Sequence, residues 1–181
     1  MERRGRAYRI TVCGVTAAAL CAVGPFTIPI GPVPVAFSNL MICLSLYLLG
    51  WRWGTVSCGA WLLLGMAGLP VFSAFGSGAS RLLGPTGGYL LGYLPMAVIG
   101  GLAIDHTRRR WLQALGLAAG TAVLYALGTA WFCLQSGSAL VPALWVCVLP
   151  FLPFDLLKIA AALALGPVLR RRCAPLPGGG R

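Results

Sequence analysis

ALVPALWVCVLPFLPFDLLKIAAALALGPVLRRR, residues 139–172, is the stretch whose reading decides the fold. Before its terminal arginines it carries two charged residues, Asp155 and Lys158. It is too long for one simple membrane span, which needs about 20 residues and at least ~17. Pro150 and Pro153 break it. The pattern predicts a short helix dipping into the outer face, then a span from about Pro153 to Leu169. Arg170, Arg171 and Arg172 close it, and arginine clusters beside apolar runs set membrane orientation.

The same pattern runs outward through the chain. Apolar segments occupy about 10–24, 36–50, 53–69, 87–104 and 111–133. With the last they make six predicted spans. The chain is 59% hydrophobic and 9% charged, against about 25% charged in ordinary soluble domains. Such a chain cannot cover a water-facing surface. The reading is an all-α integral membrane protein: one six-helix domain over 1–173 and a Pro/Gly-rich cytoplasmic tail over 174–181.

The net charge of +11 does not indicate nucleic-acid binding. Arg3, Arg4, Arg6 and Arg9 precede the first run, Arg52 sits in a short break, and Arg108–Arg110 sit in another. These clusters flank apolar segments and leave no basic face on a folded domain. With the N-terminus in the cytoplasm, twelve of the fourteen basic residues fall on the cytoplasmic side. Arg81 falls outside and Lys158 lies within a segment, so both termini are expected inside. The first run is read as a span rather than a cleaved signal. Leu20 stands where a lipoprotein signal needs a small residue, and 24–37 does not read as a mature soluble start.

Seven cysteines, with no C-x-x-C, imply neither a disulfide framework nor a metal site. Six lie in apolar runs, where Cys acts as a small hydrophobe. His106, beside Asp105 and the Arg108–Arg110 triplet, reads as a solvated loop residue.

The outer connections at 25–34, 69–88 and 135–153 are rich in Gly and Pro and almost uncharged. Irregular backbone at membrane depth survives only when buried in protein or lining a cavity. These loops predict a lid and walls over a pocket open to the outside. Asp155 and Lys158, three residues apart, share a helix face. Ionisable groups inside a bilayer are costly and usually functional. The pair reads either as a self-neutralising helix clamp or as the polar part of a pocket. Pro153 puts Asp155 in the first helical turn, where the dipole favours a carboxylate.

Gly84-Pro-Thr86-Gly87-Gly-Tyr89 is not a nucleotide loop, because no Gly-Lys-Ser/Thr follows. Its glycines permit close approach of backbone to a ligand, and a helix starting near Gly87 offers free N–H donors. Tyr89 offers a ring and a hydroxyl, and Arg81 a site for an anion. Gly14, Ala18 and Ala22 form a small-residue stripe on the first span. That stripe serves either internal helix packing or a partner membrane protein.

Four runs together resemble the BioY family, the biotin-binding S components of energy-coupling factor (ECF) transporters. They are Ile28-Pro-Ile-Gly-Pro-Val-Pro-Val35, Gly68-Leu-Pro-Val-Phe72, Gly84-Pro-Thr-Gly-Gly-Tyr89 and Pro150-Phe-Leu-Pro-Phe-Asp-Leu-Leu-Lys158. The resemblance implies an S-component-like bundle that takes biotin from outside. It also implies docking on a transmembrane T component with two cytoplasmic ATPases, through the face bearing Ala18 and Ala22. Candidate ligand contacts are Asp155, Lys158, Arg81, Thr86, Gly87, Tyr89 and Asn39. No cofactor or metal is expected. The chain departs from the family in Phe154, where Gly is usual, and in Ala36-Phe37-Ser38, where Thr-x-Gln is common. Ser38 and Asn39 keep polar groups there.

Biotin suits such a site: a cyclic urea with two N–H groups and a carbonyl, an apolar ring and chain, and a carboxylate tail. The rivals are an S component for another vitamin, a small membrane enzyme, and a scaffold. An enzyme lacks material here, since one histidine and three acids assemble no paired carboxylates or activated nucleophile. A scaffold has no need of a buried Asp–Lys pair beneath a Gly-rich loop.

Overall fold

The computed structural model describes residues 2–28 and 35–173. The tail at 174–181 and most of the 28–35 proline run lie outside the described residues. Helices dominate: α1 (Glu2–Val23), α2 (Ser38–Met66), α3 (Ala79–Leu83), α4 (Gly87–His106), α5 (Arg110–Ser136), α6 (Leu140–Cys147) and α7 (Leu152–Arg172). β1 (Thr27–Ile28) and β2 (Val35–Ala36) pair antiparallel, Thr27 opposite Ala36, at the entry to α2. The short helix expected before Pro150 is α6, and the helix expected from Pro153 is α7.

α2 contains two of the predicted segments. Gly50 breaks it with φ 75° and ψ 177°, a left-handed conformation that only glycine adopts freely. Residues eight apart in a continuous helix are about 12 Å apart along its axis. Here a Cβ on Gly54 would sit 3.2 Å from Leu46 Cα, so the chain reverses at Gly50. The sequence predicts a break over 50–53, but the structure uses one residue. The reason is Asp105 at the end of α4. Its Oδ2 accepts the Trp51 N–H at 2.8 Å and caps the new helix at once. Its Oδ1 lies 3.7 Å from Arg170 Nη2 of α7. Tyr8 donates its hydroxyl to the Cys173 carbonyl at 2.7 Å. The connections predicted to face the cytoplasm therefore gather at one end of the bundle. His106 is exposed there, as expected, but it ends α4 instead of lying in the loop, with its Nδ1 3.0 Å from the Leu102 carbonyl.

α4, α5 and α7 are long and apolar enough to cross a membrane, and α1 adds an apolar stretch over Ala7–Val23. Their outer surfaces are apolar, with Leu115, Leu127, Leu156, Leu157 and Leu165 exposed. These helices cannot be at rest in water. α4 and α5 pack closest, because small residues remove the ridge between them. A Cβ on Gly120 would meet Met96 O at 2.9 Å, and one on Gly92 would meet Leu124 Cδ1 at 2.9 Å. With little hydrophobic drive between helices in lipid, such close backbone contact supplies the attraction. The core runs through Leu20, Leu46, Tyr47, Trp61, Phe72, Met96 and Leu117.

Candidate ligand-binding site

The end opposite the Asp105 cluster carries the other connections and a cavity. About 660 Å³ of space lies between its walls, the open solvent at its mouth included. Its apolar wall includes Phe72, Leu90, Tyr93, Leu124 and Phe151. Its polar groups are Asn39, Ser73, Arg81, Thr86, Tyr89, Tyr125, Asp155 and Lys158.

The connections predicted to face outward build one side of it. Trp61 Nε1 donates to the Val71 carbonyl at 3.1 Å, and its ring meets Phe72 edge-on at 5.5 Å. That contact seats Phe72 in the wall. The Ala74 N–H donates to the Pro25 carbonyl at 3.1 Å, and Phe26 and Phe75 meet edge-on at 6.1 Å. Ala74 and Phe75 carry left-handed φ values of 54° and 57°. Two adjacent non-glycine residues in that region concentrate backbone strain at the rim.

The polar centre forms where α7 begins. Pro153 stands in the first turn of α7, where its missing N–H costs nothing, and Asp155 follows in the same turn. Lys158 Nζ donates to Asp155 Oδ1 at 2.8 Å and to the Ala36 carbonyl at 2.9 Å. The Tyr125 hydroxyl of α5 donates to Asp155 Oδ2. Both charged side chains are only about 10% exposed. One network thus ties α7 to α5 and to β2. An ammonium has three donors, and two are used; the carboxylate keeps spare lone pairs. The pair is a helix clamp with capacity left over for a ligand.

Six of the seven candidate contacts line this cavity: Asn39, Arg81, Thr86, Tyr89, Asp155 and Lys158. Gly87 does not. A Cβ there would lie 1.6 Å from the Leu82 carbonyl, so the glycine lets α4 pack against α3. The start of α4 spends two of its expected free donors within the chain. The Gly87 N–H is taken by Gly84 O and the Tyr89 N–H by Thr86 O. The Tyr89 hydroxyl is engaged with Thr129 Oγ1 at 3.1 Å. Arg81 is exposed at the mouth. Of the two polar residues at the family departure, Asn39 lines the cavity, whereas Ser38 is buried outside its lining. Phe154 is 37% exposed and lies outside the lining too. Sequence reasoning missed Tyr125. Its only signal is a lone phenol within an otherwise apolar run.

The small-residue stripe lies on the outside. Gly14, Ala18 and Ala22 are exposed, and a Cβ on Gly14 would meet nothing within 4 Å. α1 faces α2 with its other side, through Cys13, Thr16, Ala17 and Leu20. There Thr16 and Ser57 share a buried hydroxyl contact at 2.8 Å. Internal packing therefore does not account for the stripe among the described residues.

The sequence model of the BioY family matches residues 1–175. The chain belongs to the BioY family. Biotin transporter BioY of Thermotoga maritima is 41% identical over 156 residues, covering 84% of this chain and 90% of that protein. Biotin transporter BioY of Rhodobacter capsulatus is 34% identical over 165 residues, covering 83% and 86%. Among solved structures, an S-component for biotin from an ECF-type ABC transporter superposes with a TM-score of 0.86 at 29% identity. It covers 94% of this chain and 95% of its own. This BioY-family chain is a multi-pass membrane protein and, by family, a transporter component.

Proposed function

We propose that the chain is the membrane-embedded biotin-binding component of an ECF-type vitamin uptake transporter. It sits in a bacterial cell membrane with six spans and both termini in the cytoplasm. The cavity opens outward and takes biotin, with no resident cofactor. The Asp155–Lys158–Tyr125 network facing that cavity, in a BioY-family chain, is the observation that carries the reading.

The chemistry matches group by group. Asp155 accepts a ureido N–H, and the unused N–H of Lys158 remains available to the ligand. The aromatic and leucine walls take the thiophane ring and aliphatic chain. Exposed Arg81 holds the carboxylate at the mouth, where water still reaches it. The chain has no Walker motif, so energy comes from partners. The exposed stripe at Gly14, Ala18 and Ala22 is the docking face for a T component, which carries two ATPases.

A ligand that binds only the folded state raises its stability, by about 2.7 kcal/mol at a hundred times Kd. Biotin should raise the melting temperature of the purified protein in detergent, and thiamine and riboflavin should not. A shift with another vitamin and none with biotin assigns the site to that vitamin instead.

A further inference from the structure

Among the described residues, Asn39 Nδ2 is the only buried side-chain nitrogen or oxygen without a hydrogen-bond partner. Asn39 is 2% exposed and lines the cavity. Its Oδ1 faces the Cys43 thiol at 3.9 Å, which leaves the amide N–H groups as the idle end. It occupies the first turn of α2, a helix start with no side-chain cap and so a cluster of donors. Lys158 Nζ is anchored nearby on the Ala36 carbonyl. An unpaired buried donor is expensive and calls for a partner in the working state.

We propose that Asn39 Nδ2 donates to the ureido carbonyl oxygen of the bound ligand and so makes the pocket selective for a urea. The assignment rests on the biotin reading above. A cyclic urea presents one acceptor between two donors. The cavity presents the complement, with the Asp155 acceptor beside the Asn39 and Lys158 donors. The ligand's other oxygens are a carboxylate, whose burial without a charged partner is costly. That group belongs with exposed Arg81 at the mouth. A neutral carbonyl suits a fully buried neutral amide.

The test uses Asn39→Leu and Asn39→Asp in the full chain, with biotin, biotinamide and 2-iminobiotin as probes. Biotinamide lacks the carboxylate, and 2-iminobiotin replaces the ureido carbonyl with a donor. Asn39→Leu should weaken biotin and biotinamide by the same factor, about ten- to a hundredfold. Its ligand-free melting temperature should not fall, because the donor it removes is unpartnered there and the acceptor it removes meets only the weak Cys43 thiol donor at 3.9 Å. Asn39→Asp supplies an acceptor and should shift the ratio of affinities toward 2-iminobiotin by a similar factor. Unchanged biotin affinity in folded Asn39→Leu overturns the assignment. So does a loss confined to biotin and absent with biotinamide, which gives Asn39 the carboxylate. A fall in ligand-free stability overturns it as well, since the amide is then structural. If the unmodified protein binds no biotin, the functional reading fails and this assignment fails with it; if it binds biotin and the variants do not differ from it, only the assignment fails.

Discussion

Removing the charges of Asp155 and Lys158 separates a ligand site from a helix clamp, provided the substitutions respect the network. Lys158→Met leaves the Asp155 carboxylate buried with only the Tyr125 hydroxyl, and strands the Ala36 carbonyl. Breaking a buried ion pair costs about 3–5 kcal/mol. Asp155→Asn keeps one acceptor oxygen, which serves Tyr125 or Lys158 but not both, and turns an N–H donor toward the other. The double variant Asp155→Asn with Lys158→Met removes both charges yet keeps the Tyr125 bond. The Ala36 carbonyl and the new amide N–H groups lose or lack partners, at about 1–3 kcal/mol each, but no buried charge is left uncompensated. The double variant should therefore be more stable than Lys158→Met alone. Its ligand pocket, however, has lost both charged groups. Its biotin affinity should fall at least a hundredfold, equivalent to about 2.8 kcal/mol. A thermal scan in detergent beside a biotin titration reads both quantities on each variant. A well-folded double variant with near-native affinity would refute the assignment and leave the pair as a clamp.

Three further outcomes follow from the geometry. Gly50→Ala should destabilise the fold by about 1–3 kcal/mol, because φ is 75° and its Cβ would lie 2.7 Å from Asp105 Oδ2, the cap of Trp51. An unchanged melting temperature would contradict the reversal at Gly50. Ala18→Trp should block copurification with a T component while leaving biotin affinity intact, since Ala18 is exposed and is not among the residues lining the cavity. Normal copurification would move the docking face elsewhere. In a cysteine-free background, cysteines at Gly78 and Ser136 should react with an impermeant thiol reagent from outside, and one at Thr107 should not. Labelling at Thr107 from outside would invert the topology.

The segment plan was readable because membrane spans obey one strong rule, an apolar run bounded by charge. The placement of α4, α5 and α7 follows from it directly, and so does the gathering of arginine-rich ends. Asp155 and Lys158 stood out for the same reason, as charges in a setting that penalises charge. Gly50 and Asp105 were visible as residues but not as a pair. The Trp51 N–H donated to Asp105 beside Gly50 joins α2 to α4 across 54 residues of chain, and no local pattern encodes it. Tyr125 was hidden similarly, since a phenol in an apolar helix satisfies lipid, core or site equally well. Gly87 misled because a glycine before a helix serves ligand approach and helix packing alike. Only the Leu82 carbonyl against it decides for packing. Asn39 could be placed near the site from sequence, but its idle amide needed the surrounding partners to be counted.

Calorimetric titration of biotin into the purified chain in detergent, without partner subunits, tests the central claim most directly. The account predicts saturable binding at one site per chain, suppressed in the Asp155→Asn with Lys158→Met variant. Absence of binding by a protein that unfolds cooperatively on heating would contradict it.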